Sequence, residues 1–353
     1  MKNNQFNKIQ CGFLSLLTFA FISCSGDDDY QEPKPLVEVP DNFPSFIDSQ
    51  TNPLSESGIA LGKKLFYDKA LSGNNNVSCA SCHLPELAFS DGVALSNVGV
   101  SGNQLHRNAP ALINLAWATN GLFWDGGSTN LESQAFAPLS HPDEMFQNLN
   151  QLIQELEAKP EYVTLFQKAF GQPVSQTGIV KALAQFQRTL VSGNSKYDKF
   201  VRNEADGILN DAELDGLALA EQFCFSCHQT PLLTDNQYHN NGLDDDFSNT
   251  AFEGIFQGRF RVTNDINDLG KFKTPTLRNI EKTAPYMHDG RFSTLEEVID
   301  HYRFGVKNSP SLASQLNQNN TLGIPLSQTE KNNLIAFLKT LTDEEFLNNP
   351  RFK

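Results

Sequence analysis

Positive charge is scarce in this chain of 353 residues. Lys and Arg number 27 against 41 Asp and Glu, leaving a formal net charge of −14 and a pI near 4.9. A surface of that sign argues against nucleic acid as a partner. Long apolar runs are absent as well. The run from Gly12 to Ile22 is too short to span a bilayer permanently, and behind Lys2 and Lys8 it reads as a secretory signal peptide. Few stretches read as strands, so helix and long loop are expected to carry the fold. Cysteine is limited to six residues, and neither of its two close clusters has a second Cys/His pair nearby at finger spacing. That argues against a structural zinc site.

What is present is a repeated pentapeptide. Cys79-Ala80-Ser81-Cys82-His83 returns as Cys224-Phe225-Ser226-Cys227-His228. Chance predicts such a C-x-x-C-H string on the order of 0.002 times in a chain with 6 Cys and 7 His. The spacing lets two thiols add to the vinyl groups of one haem while the adjacent His ligates its iron, so two covalently bound haems c are expected. The copies lie 145 residues apart, which reads as one haem per domain. Phe21-Ile22-Ser23-Cys24 at the end of the apolar run resembles a bacterial lipobox, in which Cys24 becomes the lipidated first residue. The alternative is an ordinary signal peptide with a stray cysteine. The lipoprotein reading leaves no thiol over: Cys11 is removed, Cys24 carries lipid and the other four hold haem. Asp27 to Asp29 and Pro33, Pro35, Pro40 and Pro44 then make a polar tether, with folding expected from near residue 45. The expected organisation is a signal peptide over 1–23, a tether over 24–45, a first haem domain over 46–203 and a second over 204–353. The protein would face the periplasm or the cell surface, lipid-anchored to the outer membrane.

Local patterns place the helices. Ile59, Leu61, Leu65 and Phe66 predict a short helix before the first motif, and Asn74 to Asn76 a turn. A Gly- and Asn-rich loop follows His83 as far as Gly102. Residues 145–170 and 175–191 read as helices, the second with Ile179, Leu183, Phe186 and Leu190 on one face. Asn210 to Glu213 cap a helix that runs into the second motif, and a long loop follows to about residue 270. Ser327 and Glu330 cap a last helix bearing Leu334, Phe337, Leu338 and Leu341. The fold class is therefore mainly α: two cytochrome c-like helical domains with long loops.

The order of several segments resembles the bacterial dihaem cytochrome c peroxidase and MauG family over nearly the whole mature chain. Beside the two haem motifs they are Arg107–Pro110, Phe123–Gly126, Thr274–Asn279 and Ala284–Gly290. The resemblance implies a peroxidatic first haem held by Cys79, Cys82 and His83, and an electron-transfer haem held by Cys224, Cys227 and His228. It places the interhaem tryptophan at Trp124, and the glutamine, proline and glutamate that follow it at Gln134, Pro138 and Glu144. Glu144 would be the acid–base group on the open side of the first haem, taking the proton from the inner oxygen of peroxide and giving it to the leaving one. It would otherwise be a helix-start glutamate near Pro142. Trp117 has no family interval and is assigned to packing. The family also binds calcium between its domains, which maps to the Asn108 side chain and the carbonyls of Thr283 and Pro285, hard oxygen donors.

Two departures bear on the reaction. Members of the peroxidase branch carry a loop histidine that caps the first iron until reduction releases it. Here that position falls near Val100, and His106, the only histidine in the loop, reads as a loop or propionate-contact residue. The sixth ligand of the second haem, Met in peroxidases and Tyr in MauG, falls on Tyr302, with His301 and Met287 as alternatives. A phenolate favours ferric iron where a thioether favours ferrous. The resemblance thus implies reduction of hydrogen peroxide to water, with electrons from a small cytochrome c or copper protein. The alternatives are MauG-like oxidation of a protein or organic substrate by a stored high-valent state, or a dihaem electron carrier without catalysis.

Overall fold

Helix starts are written in capping side chains. The computed structural model describes residues 35–353, so the signal sequence, Cys24 and the first part of the tether lie outside the described residues. Ser55 accepts from the Gly58 N–H and opens α1 (Glu56–Tyr67), which turns Leu61, Leu65 and Phe66 inward. Then follow α2 (Leu131–Ser140), α3 (Leu149–Glu157), α4 (Pro160–Phe170), α5 (Gln176–Arg188) and α6 (Lys196–Val201). In the second half come α7 (Asp211–Phe223), the single turns α8 (Ala251–Gly254) and α9 (Phe260–Thr263), then α10 (Leu295–Asp300), α11 (Gln328–Lys339) and α12 (Glu344–Leu347). Among the described residues, strand is confined to two short antiparallel ladders. One pairs β1 (Tyr238–His239) with β2 (Phe272–Lys273) in the register Tyr238↔Lys273, and the other pairs β3 (Asn317–Gln318) with β4 (Thr321–Leu322). The mainly helical expectation is met.

Two apolar clusters organise these elements. The first gathers Leu61, Leu65 and Phe66 of α1, Leu152 and Leu156 of α3, Phe166 of α4 and Leu183 and Phe186 of α5. The second gathers Leu217 and Ala220 of α7, Ile299 of α10 and Leu334, Phe337 and Leu338 of α11. Each cluster is built on a helix pair that crosses at a glycine. A Cβ on Gly62 would stand 1.9 Å from the Ala182 carbonyl oxygen, and one on Gly216 would stand 2.0 Å from that of Asn333. Glycine therefore sets how closely α1 meets α5 and α7 meets α11. Helices α1 and α7 are the ones that lead into the two haem motifs.

Three differences from the sequence reading have physical causes. The stretch 145–170 breaks into α3 and α4, because Asn148 caps the first and Pro160 opens the second. Helix α2 forms despite Pro138, closed at its start by reciprocal bonds between Asn130 and Ser133. The tether is shorter than expected: Val37 and Phe43 are buried, Phe43 sits edge-on to Trp117 at 5.3 Å, and Arg278 lies over its ring at 4.5 Å. The chain's other end also crosses over, since Phe346, Leu347 and Phe352 join the first cluster.

Candidate functional site

Both C-x-x-C-H strings wind into one tight turn of the same design. The His83 N–H donates to the Cys79 carbonyl at 3.0 Å, and the His228 N–H to the Cys224 carbonyl at 2.9 Å. In each the imidazole Nδ1 is committed to a backbone carbonyl: Phe89 at 2.7 Å for His83, Pro275 at 3.1 Å for His228. A carbonyl only accepts, so Nδ1 carries the hydrogen and Nε2 keeps its lone pair for a metal. All four cysteines are unpaired thiols. Burial pushes Cys79 and Cys224 up to about 12, so both are neutral at ordinary pH. Neutral thiols in pairs beside an imidazole with a free Nε2 fit covalent haem attachment and axial ligation. Cys227, Asp235 and His239 also bring donor atoms within 4.8 Å of one another. A thioether at Cys227 would remove the thiolate that such a metal site needs.

The second motif opens onto a cavity of about 320 Å³ with a mainly apolar wall. Trp124, Gln134, Asn108, Thr283, Pro285, Met287, His288 and Tyr302 line it together with Cys224, Cys227 and His228. The Trp124 indole N–H donates to the Asn108 carbonyl at 2.8 Å, which fixes the ring in that wall. The Gln134 Oε1 is buried there without a hydrogen-bond partner, a polar atom aimed where a cofactor or substrate would lie. His288 stacks on Phe272 with centroids 3.6 Å apart, and burial lowers its pKa to about 4, so it is a neutral ring. The Asn108 amide group donates to the Val93 carbonyl at 2.9 Å and the Ala94 carbonyl at 3.3 Å, which turns its oxygen the other way.

Tyr302 stands on a π-helical turn, His301–Gly305, that continues α10. Such turns recur at functional sites because the wider winding redirects side chains. Here Tyr302 lines the cavity and His301 does not. The His301 Nε2 is engaged with the Asn241 carbonyl at 3.1 Å. Burial pushes the Tyr302 phenol up to about 12, the Asn241 amide partly offsets this, and Cys224 and Cys227 add to it. Met287 also faces the cavity, its sulfur 3.4 Å from the Asn241 amide nitrogen.

Glu144 lies outside this cavity's wall, with the first motif. Its carboxylate is close enough to raise the thiol pKa values of both Cys79 and Cys82. Burial raises its own pKa; His141, with its Nδ1 3.9 Å away, pulls it down and Asp143 pushes it up. Gln134 lines the cavity at the second motif, whereas Glu144 does not. Val100, where the capping histidine would fall, donates its N–H to the Glu144 carbonyl at 2.7 Å. His106 is stacked on Phe252 with centroids 3.5 Å apart. Trp117 packs against Phe43 and Phe46. Arg107 pairs with the buried Asp125 at 2.9 Å, and Arg261 reaches the same carboxylate at 2.8 Å. Asn241, which touches Met287 and His301 and lies beside Tyr302, was invisible in the sequence except as an Asn-Asn-Gly turn.

Comparisons with known proteins show the family. Residues 56–206 match the family described as di-haem cytochrome c peroxidase. The chain is 37% identical over 339 residues to the methylamine utilization protein MauG of Methylorubrum extorquens, covering 92% of this chain and 91% of that protein. It is 34% identical to cytochrome c551 peroxidase of Nitrosomonas europaea over 83% of this chain and 81% of that one. Among solved structures, a MauG-like protein associated with microbial copper homeostasis superposes with a TM-score of 0.79 at 37% identity, covering 90% of this chain and 98% of that one. With paired C-x-x-C-H turns on one helical scaffold and relatives of this identity over most of its length, the chain belongs to the dihaem cytochrome c peroxidase/MauG family and is a peroxidase-type oxidoreductase.

Proposed function

We propose that the protein reduces hydrogen peroxide to water, with Glu144 as the acid–base group at the first haem site and a small cytochrome c or copper protein as electron donor. Haem iron, bound by His83, would supply the centre at which the O–O bond is cleaved. The observation that carries the reading is the placement of Glu144: a carboxyl of raised pKa within electrostatic reach of Cys79 and Cys82. Such a group takes a proton from the inner peroxide oxygen and returns it to the outer one, so that the leaving oxygen departs as water. Overall, peroxide, two electrons and two protons give two waters. Trp124, whose ring is fixed in the wall of the cavity at the second motif, would pass electrons between the two sites. His228 and Tyr302 would hold the second haem. The Asn108 side chain and the Thr283 and Pro285 carbonyls would hold calcium, as all three residues line the same cavity. The domain boundaries near residue 203, the periplasm-facing location and the lipid anchor at Cys24 belong to the same proposal.

The test is Glu144→Gln, which keeps size and hydrogen bonding but removes the base. Peroxide turnover with a reduced donor should fall by roughly 10²–10⁴-fold at unchanged haem content. Near-normal turnover would move the acid–base role elsewhere. A non-catalytic electron carrier would show no peroxide turnover in the wild-type protein either.

A second reading is favoured by two specific features, the Tyr302 phenol facing the second motif and Val100 where a capping histidine would stand. Both suit MauG-like oxidation of a protein or organic substrate. A resting ferric enzyme that reacts with peroxide without prior reduction supports it; one that is inert until half-reduced excludes it.

A further inference from the structure

The loop that follows the first haem motif is tied at both ends to groups that matter. At its base Ser96 is buried, with its hydroxyl 3.7 Å from the Cys82 sulfur, and its carbonyl accepts from the Leu105 N–H at 2.7 Å. At its tip the loop lies on the peptide between Asp143 and Glu144. The Ser101 hydroxyl donates to Asp143 Oδ1 at 2.8 Å, and the Asn103 amide donates to the same oxygen at 2.9 Å. The Val100 N–H donates to the Glu144 carbonyl. Gly99 allows this approach: a Cβ there would stand 1.8 Å from the Asp143 carbonyl oxygen. On its other side the Glu144 segment is fixed to the end of α2, by Glu144 N–H to His141 carbonyl at 3.1 Å and Met145 N–H to Pro138 carbonyl at 3.1 Å.

We propose that Asp143 is a positioning residue: through Ser101 and Asn103 it latches the 96–105 loop onto the Glu144 peptide, and so sets Glu144 relative to Cys82. The proposal rests on the reading of Glu144 as the acid–base group. One carboxylate oxygen gathers both side-chain donors, and charge-assisted bonds of this kind are stronger than neutral ones. The bonds from Asn103 and Ser101 hold the Asp143 carboxyl below its usual range, so the latch is ionised at neutral pH. Without it the loop keeps only the Val100 bond to the Glu144 carbonyl, and that single bond is left to restrain Glu144 on the side away from α2. A positional error of about 1 Å at an acid–base group costs up to about 10²-fold in rate.

The experiment uses the haem-loaded protein and three variants: Asp143→Ala, Asp143→Asn, and Ser101→Ala with Asn103→Ala. Amide hydrogen exchange over residues 97–105 reads the latch, and kcat with peroxide and a reduced donor reads the consequence. Asp143→Ala and the double variant should both speed exchange at Val100 by about tenfold and lower kcat by about tenfold, with the KM for the donor unchanged. Asp143→Asn keeps the acceptor oxygen and should recover most of both. Unchanged exchange in Asp143→Ala and in the double variant overturns the latch. Faster exchange with wild-type kcat overturns the positioning role. If Glu144→Gln itself retains turnover, the acid–base reading fails and takes the positioning role with it, and that outcome is separable because the exchange data do not depend on Glu144 chemistry.

Discussion

A carboxyl that must both take and return a proton works best when its pKa lies near the working pH. Burial moves Glu144 in that direction, against the pull of His141. The catalytic base must be ionised, so turnover should fall as pH drops through this raised pKa. The acid limb of the rate profile is therefore expected above the ordinary glutamate value of about 4.3 and absent in Glu144→Gln. A limb at the ordinary value would place the working base elsewhere. Tyr302 makes a separate prediction. If Tyr302 ligates the second haem, exchanging it for Met should raise that haem's potential, because a thioether favours ferrous iron, and Tyr302→Phe should alter its ferric spectrum. An unaltered spectrum in Tyr302→Phe would turn attention to Met287, since the His301 Nε2 is already engaged by a backbone carbonyl. The two C-x-x-C-H turns were legible in the sequence because covalent haem attachment, where it occurs, demands a fixed spacing of side chains. Their supports were not. The carbonyls of Phe89 and Pro275 that orient His83 and His228 belong to the backbone, which any residue supplies. Asn241 meets Met287, 46 positions on, and His301, 60 positions on, only after the intervening chain has folded back, and no local pattern encodes that.

At the scale of elements, the capped and periodic helices were the readable ones. Asn210 and Ser327 each accept from an N–H in the first turn as their positions suggested, and Ser55 does the same at α1 without having been read as a cap. Helix α2 and the π-helical turn escaped, the first because Pro138 reads as a breaker and the second because a change of winding leaves no apolar period. The glycine crossings give a prediction. Replacing a helical Gly by Ala ordinarily gains about 1 kcal/mol. At Gly62 and Gly216 the new methyl would meet a backbone carbonyl oxygen, at 1.9 and 2.0 Å, and only separation of the helices relieves that. Overpacking of this kind costs about 1–3 kcal/mol, so each variant should be less stable than wild type. Urea midpoints at matched haem content check it; a gain at either position would show that the crossing can yield.

Across the whole molecule, one buried ion pair joins distant parts of the chain. Arg278 grips Asp198 with bonds of 2.7 and 2.8 Å, and Asn42 donates to the same carboxylate at 2.9 Å. Burial penalises the Asp198 charge, but the Arg278 bonds outweigh it and hold the pKa below the usual range. Arg278→Met leaves a buried carboxylate without its cation, at a cost of about 3–5 kcal/mol. A depressed folded-state pKa gives stability that is present above the unfolded value of about 3.9 and lost as pH falls through the folded one. The stability gap between wild type and Arg278→Met should therefore be full at pH 7 and narrow below about pH 4, as urea midpoints at both pH values would show. A gap that persists in acid would mean that lost packing, not charge, dominates.

The chain's ends hold a different lesson, one of time. Phe346, Leu347 and Phe352 fill the first apolar cluster, the Tyr67 hydroxyl donates to the Phe352 carbonyl, and Arg351 donates to the Leu36 carbonyl at 2.7 Å. A ribosome delivers α1 early and these residues some 280 positions later. The cluster begun first is thus completed after the other, and through that interval the Cys79–His83 turn belongs to an unfinished structure.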